Sequence, residues 1–147
     1  MIKKIIALAG YPGAGKTKVR TTDPGLCFLP FLDIADIYAE YPNIQSKVAF
    51  AELLNRLMVL IRDGKHETVV IEAMCVSWQR LWLEVIARAN DIQVEYREIH
   101  ADLLVCIERV KEQFEAELKS AQSEKERSRI TRRHIARLSI LQRDLPQ

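Results

Sequence analysis

Apolar and polar positions change their period along this chain, and the changes mark out its elements. Residues 2–9, Ile-Lys-Lys-Ile-Ile-Ala-Leu-Ala, are a short apolar run of strand length. Leu26-Cys27-Phe28-Leu29 reads as a second buried strand, which Pro30 ends or marks as an edge. Thr68-Val69-Val70-Ile71 is a continuous β-branched run, the pattern of a central parallel strand buried on both faces. Ile92 to Ile99 alternates, as a half-exposed strand near a sheet edge does.

Between these runs the period is helical. From Ser46, read as a cap, Phe50, Leu53, Leu54, Leu57, Met58 and Ile61 recur at i, i+3, i+4 spacing until Asp63-Gly64 stops them. Ser77 is placed to cap a helix with the stripe Trp78, Leu81, Trp82, Val85, Ile86 and Ala89. That spacing favours core packing of the tryptophans over base stacking. Asp102 heads a long helix with Leu103, Ile107, Val110, Phe114 and Leu118 inward, and Ile135, Leu138 and Leu141 suggest a last one. Residues 31–45 mix aromatic, acidic and turn residues and read as a loop with one short helix at the sheet rim.

Strand–loop–helix units in series imply right-handed crossovers, hence an α/β fold: a parallel sheet with helices on both faces. Ligands of such sheets bind beyond the carboxyl ends of the strands. That rule brings residues 10–17, residues 33–36 and Glu72 to one rim.

Length and composition narrow the picture only a little. The 147 residues suit one domain with one core, spanning 1–147. A net charge of +2 gives no general argument for nucleic acid or membrane as a partner. No apolar run reaches the length of a membrane span, and the first is interrupted too soon for a signal peptide, so a cytoplasmic location is expected. Cys27, Cys75 and Cys106 have no metal-like spacing and read as buried thiols. His66, His100 and His134 likewise read as structural or surface groups.

The chemistry concentrates in Gly10-Tyr11-Pro12-Gly13-Ala14-Gly15-Lys16-Thr17, a full G-x-x-x-x-G-K-[ST] phosphate loop behind a strand. Glycines let backbone N–H groups curl around phosphate oxygens. The Lys16 ammonium can reach the β- and γ-phosphates of ATP, the Thr17 hydroxyl can ligate Mg²⁺, and the following helix offers its positive end. That helix is expected to be brief, because Thr21-Thr22-Asp23-Pro24-Gly25 breaks it. Glu72, at the carboxyl end of a buried strand, is a candidate to support Mg²⁺ or to orient a water. Asp33 and Asp36 follow one strand–loop unit after the phosphate loop, where a kinase needs a base for the acceptor hydroxyl. Asp36 equally suits a helix cap. The basic, lid-like segment 119–133, with Lys125, Arg127, Arg129, Arg132 and Arg133, joins Arg109 as a potential cover over phosphate oxygens.

With those residues in view, the chain resembles the small P-loop kinases of the polynucleotide-kinase and zeta-toxin type. The loop Gly10–Thr17, with proline before its second glycine, is similar to that group's. Val69-Val70-Ile71-Glu72-Ala73-Met74, then Arg80-Leu81, Val94 to Ile99 and Leu104 to Arg109 resemble its second half in order and spacing. The resemblance implies a three-layer P-loop NTPase fold with a parallel sheet of four or five strands. It implies transfer of the ATP γ-phosphate to a hydroxyl, with Arg109 matching a lid arginine. The acceptor it leaves open: a nucleic-acid 5′ end, nucleoside, sugar or antibiotic. The family's Asp-Asp-x-Arg-like run reads Ala35-Asp36-Ile37-Tyr38 here, and its usual aspartate after the third strand is Glu72. A nucleotide-driven NTPase switch and a degenerate binder without turnover are the rival readings. A GTPase is disfavoured, because no Asn-Lys-x-Asp or Asp-x-x-Gly motif occurs.

Overall fold

The computed structural model describes residues 1–41 and 43–143. Four parallel strands, β1 (Lys4–Ala9), β2 (Phe31–Asp33), β3 (Thr68–Ala73) and β4 (Gln93–Glu98), make one sheet in the order β2-β3-β1-β4. The apolar runs at 4–9 and 68–73 take the two central positions, and the alternating run at 93–98 takes an edge, as their patterns require.

Alternation along the central strands sorts the two faces. Ile5, Ala7, Ala9, Val69, Ile71 and Ala73 point to the main core, where α3 (Ser46–Asp63) and α4 (Ser77–Ala89) cover them. Phe50 of α3 anchors this layer, its ring 5.5 Å from Trp78 and 6.2 Å from Trp82. Ile6, Leu8 and Val70 point the other way, to a much smaller cluster with Leu26, Val19 and Leu29. One helix of two turns, α1 (Lys16–Thr22), and the turn that follows it cover that face. Glu72 shares the parity of Val70. It therefore faces α1 and not the main core, and the shortness of α1 decides what can reach it.

Beyond the carboxyl ends of the strands lie α2 (Ile34–Glu40), α5 (Leu103–Ser120) and α6 (Glu124–Arg143). α5 and α6 form a hairpin held by Cys106, Val110 and Leu141, with Phe114 stacked on His134 at 3.9 Å. α6 then packs along α2. Most of the basic stretch 119–133 is thus helical and belongs to one arm of this hairpin.

Several sequence expectations are corrected. Leu26–Leu29 is not a strand. Leu26 and Cys27 both donate backbone bonds to the Asp23 carbonyl, closing a turn over Pro24-Gly25. Only Leu26 is buried, while Phe28 is 93% exposed. The edge strand starts at Phe31, one residue later than Pro30, whose free carbonyl accepts from Val70 N. Ser46 and Ser77 are first helical residues and not caps. The cap positions belong to Gln45 and Val76, and Gln79 Oε1 accepts from Val76 N. Asp102 stands at the cap position of α5 without a side-chain bond. On α4, Leu81, Val85 and Ala89 face solvent, and the buried side chains are Leu83 and Ala87. Cys27 is half-exposed, whereas Cys75 and Cys106 are buried as expected. No helix among the described residues is long and apolar enough to cross a membrane.

Candidate functional site

The loop 10–17 leaves β1 and turns into α1 at the carboxyl rim of the sheet. Two of its glycines are fixed by contact. Gly13 has φ 81°, and a Cβ there would stand 2.5 Å from the Cys106 carbonyl of α5. A Cβ on Gly10 would collide with the Ile99 carbonyl. The backbone is therefore pressed against α5 and the end of β4, with the concave side of the loop left open. Gly13 and Gly15 N–H groups have no partner among the described residues, so the loop presents donors without acceptors. Tyr11, Pro12 and Ala14 fill the intervening positions, Tyr11 and Ala14 packing against the hairpin cluster.

A cavity of about 630 Å³ opens over this loop. Lys16, Thr17, Asp33 and Glu72 line its floor, and Arg109, Arg133 and Arg137 come from the hairpin. Lys16 bends back, its Nζ donating to the Gly10 carbonyl at 2.6 Å. Burial holds its ammonium below the usual lysine range, and the charge of Asp33 opposes the shift.

The acidic residues divide by strand register. Asp33 and Glu72 are partners on neighbouring parallel strands, so both carboxylates stand on the α1 side of the sheet. Thr17 Oγ1 donates to Glu72 Oε1 at 2.7 Å, and Arg20 Nε donates to Glu72 Oε2. The Arg20 guanidinium lies 3.5 Å from the centre of the Phe31 ring. Glu72 is only 1% exposed, so it is a buried carboxylate and not a solvated charge at a strand end. Asp33 caps α2, accepting from Ala35 N at 2.9 Å through one oxygen. The capping role considered for Asp36 therefore belongs to Asp33. Burial and the Glu72 charge lift the Asp33 carboxyl above the usual carboxylate range, against the bond from Ala35 and the charges of Arg137 and Lys16. Asp36, in the first turn of α2, turns to α6 and pairs with Arg129 and Arg133 at 3.6 Å each. It does not line the cavity.

The arginines divide as well. Arg109 Nη1 lies 3.4 Å from the carbonyls of Gly13 and Ala14. Arg133 is tied to Asp36 and Glu117. Arg137 has no hydrogen-bond or ion-pair partner among the described residues, although burial works against its charge and Asp33 favours it. Arg132 holds the Ala39 carbonyl on α2. Arg127 and Lys125 are exposed and do not line the cavity. Sequence reading missed Arg20 and Arg137. Arg20 follows Thr17 by three residues and so shares its helix face, and Arg137 follows Arg133 by four. Both signals were present in the spacing.

The oxygens of Thr17 and Glu72 are hard donors on one side of the cavity and suit Mg²⁺, which takes one or two carboxylates and completes its shell with phosphate and water. Among the described residues, no three or more His, Cys, Asp and Glu side chains converge to hold a metal by themselves.

No family model matches the chain, and no curated protein matches it. Solved structures do. A candidate kinase from Chloroflexus aurantiacus superposes with a TM-score of 0.60 at 14% identity, covering 87% of this chain and 74% of that one. A gluconokinase from Sinorhizobium meliloti 1021 gives 0.53 at 14% identity over 98% and 99% of the two chains. A chain of the Pnkp1/Rnl/Hen1 RNA repair complex gives 0.54 at 15% identity; it covers 99% of this chain, which spans only 47% of that longer one. The fold is that of the P-loop kinases.

Proposed function

We propose that this chain binds ATP with Mg²⁺ and transfers the γ-phosphate to a hydroxyl acceptor. The observation that carries the reading is the convergence of Lys16, Thr17, Asp33 and Glu72 in one cavity roofed by arginines. In this reading the loop from Gly10 to Thr17 cradles the β- and γ-phosphates with its unpartnered N–H groups, and Lys16 leaves the Gly10 carbonyl to meet them. Thr17 and Glu72 are the residues that would hold Mg²⁺, which draws negative charge from the phosphates when bound. The second Asp33 oxygen is free of backbone bonds and its raised pKa suits a proton acceptor, so Asp33 is the base of choice over the ion-paired Asp36. Arg137, with Arg109, meets the charge that develops on the transferred group.

The rival NTPase reading needs Glu72 to orient a water. Both Glu72 oxygens already accept protein bonds, one from Thr17 and one from Arg20, and that favours a supporting role for it. The neighbours described as a gluconokinase and as part of an RNA repair complex keep both sugar-like and nucleic-acid hydroxyls open as acceptors. Calorimetry with MgATP on the wild type and on Lys16→Ala tests the nucleotide site. The wild type should bind and the variant should lose tight binding while keeping its helical signal. Equal affinity in the two would refute the reading.

A further inference from the structure

A second cavity, of about 410 Å³, adjoins the first, and Tyr38, Ala136 and Ile140 line both. Its size falls within the range of small-molecule sites, about 300–1,000 Å³. α6 supplies Arg132 and Arg143 to it, and the connection between α2 and α3 supplies Tyr41 and Ile44. No Asp or Glu stands among its described lining residues.

The two arginines differ from their neighbours on the same helix. Arg129 and Arg133 are paired with carboxylates. Neither Arg132 nor Arg143 has a carboxylate partner among the described residues. Arg132 spends only its Nε, on the Ala39 carbonyl at 2.9 Å, so its planar end stays available. The Arg143 charge is felt at the Tyr38 hydroxyl, where it opposes the rise that burial causes. Arg143 is therefore close to Tyr38, which lines both cavities. Guanidinium groups without counter-charge beside a half-apolar cavity suit a carboxylate or phosphate, held by charge-assisted bonds.

We infer that the second cavity holds the body of the acceptor and that the acceptor carries its own carboxylate or phosphate, bound by Arg132 and Arg143. The inference rests on the kinase reading for the position of the reacting hydroxyl, at Asp33 in the adjoining cavity that Tyr38 also lines. It selects anionic hydroxyl compounds over neutral sugars and nucleosides. Polycationic antibiotics are disfavoured by the same two charges and by Arg137.

The test is a binding measurement in matched pairs. The protein is saturated with a non-hydrolysable ATP analogue and titrated calorimetrically with gluconate against glucose, adenosine 3′-phosphate against adenosine, and kanamycin. At least one anionic member should bind tenfold or more tightly than its neutral partner, and which pair responds identifies carboxylate or phosphate as the recognised group. Arg132→Gln and Arg143→Gln should each weaken that binding about tenfold, the scale of one charge-assisted bond. Affinity for the ATP analogue should not change in either, which also reports that the variants fold. Equal binding of both members of each pair, no binding of either anion, tightest binding of kanamycin, or anion binding untouched by both substitutions would each overturn the inference. The kinase reading fails separately. Anion binding lost in the arginine variants, with no phosphoryl transfer in the wild type, would leave the site standing and remove the reaction.

Discussion

Arg20 and Glu72 form a buried ion pair, with the Arg20 side chain 12% and the Glu72 side chain 1% exposed. The pair exists because strand parity turns Glu72 toward α1 and because α1 carries an arginine one turn after Thr17. Thr17 takes the other carboxylate oxygen, so α1 is fastened to β3 through one carboxylate.

Removing Arg20 alone should therefore cost more than removing both partners. Arg20→Met strands a buried carboxylate, and broken buried pairs cost about 3–5 kcal/mol. Arg20→Met with Glu72→Gln should recover a large part of that loss. Urea unfolding of the two variants measures the difference. Equal stability of Arg20→Met and the wild type would mean that the pair does not hold α1 to the sheet.

The layer on the opposite face gives a contrasting test. Phe50 is 1% exposed and touches both tryptophan rings, so Phe50→Ala should cost about 3–5 kcal/mol. Trp82 is only half-buried, and Trp82→Ala should cost about half as much. Thermal and urea unfolding rank the two. A reversed order would mean that α4 and not α3 anchors the main core.

These two faces also explain what was legible in the sequence. The long periodic runs leave simple patterns and are legible for that reason: burial on both faces at Val69–Ile71, and one buried helix face from Phe50 to Leu57. Leu26–Leu29 failed because an apolar tetrapeptide fits a strand and a turn equally, and the Asp23-Pro24-Gly25 turn decided the matter. On α4 the stripe was drawn through Leu81 and Val85. The buried line runs instead through Leu83 and Ala87, with Trp78, Trp82 and Ile86 half-buried beside it and Leu81 and Val85 exposed. In the candidate site, the loop 10–17 could be found by its motif, and Asp33 and Glu72 by their places at strand ends. The difference between Asp33 and Asp36 could not be found, because it depends on strand register and on arginines about a hundred residues away. Arg20 had a local signal, its spacing from Thr17, but nothing in the sequence said that Glu72 would face it.

The pH dependence of kcat/KM should narrow from both sides. Asp33 accepts a proton only when ionised, and its pKa is raised, so activity should fall at a pH above the usual carboxylate range. Lys16 is held below the usual lysine range, so the basic limb should come early. Asp33→Asn should abolish the acid limb. For stability the sign is opposite. A raised folded-state pKa means that Asp33 favours folding below its unfolded value and that this contribution is lost as pH rises through the folded one. Asparagine keeps an oxygen for the cap bond from Ala35, so Asp33→Asn should be no less stable than wild type at neutral pH. Rate–pH profiles and urea midpoints at neutral and acid pH check both signs. An acid limb unchanged in Asp33→Asn would assign it to another group.

The most direct measurement follows the γ-phosphate itself. ATP labelled in that position is incubated with Mg²⁺, an acceptor panel of sugars, sugar acids, nucleosides and oligonucleotide 5′ ends, and the wild type, Asp33→Asn or Asp36→Asn. The expected result is label on an acceptor hydroxyl in the wild type. Turnover should fall by roughly 10²–10⁴ in Asp33→Asn with ATP affinity nearly unchanged, and by little in Asp36→Asn. Label released only as free phosphate, or equal transfer by the wild type and Asp33→Asn, would contradict a kinase with Asp33 as its base.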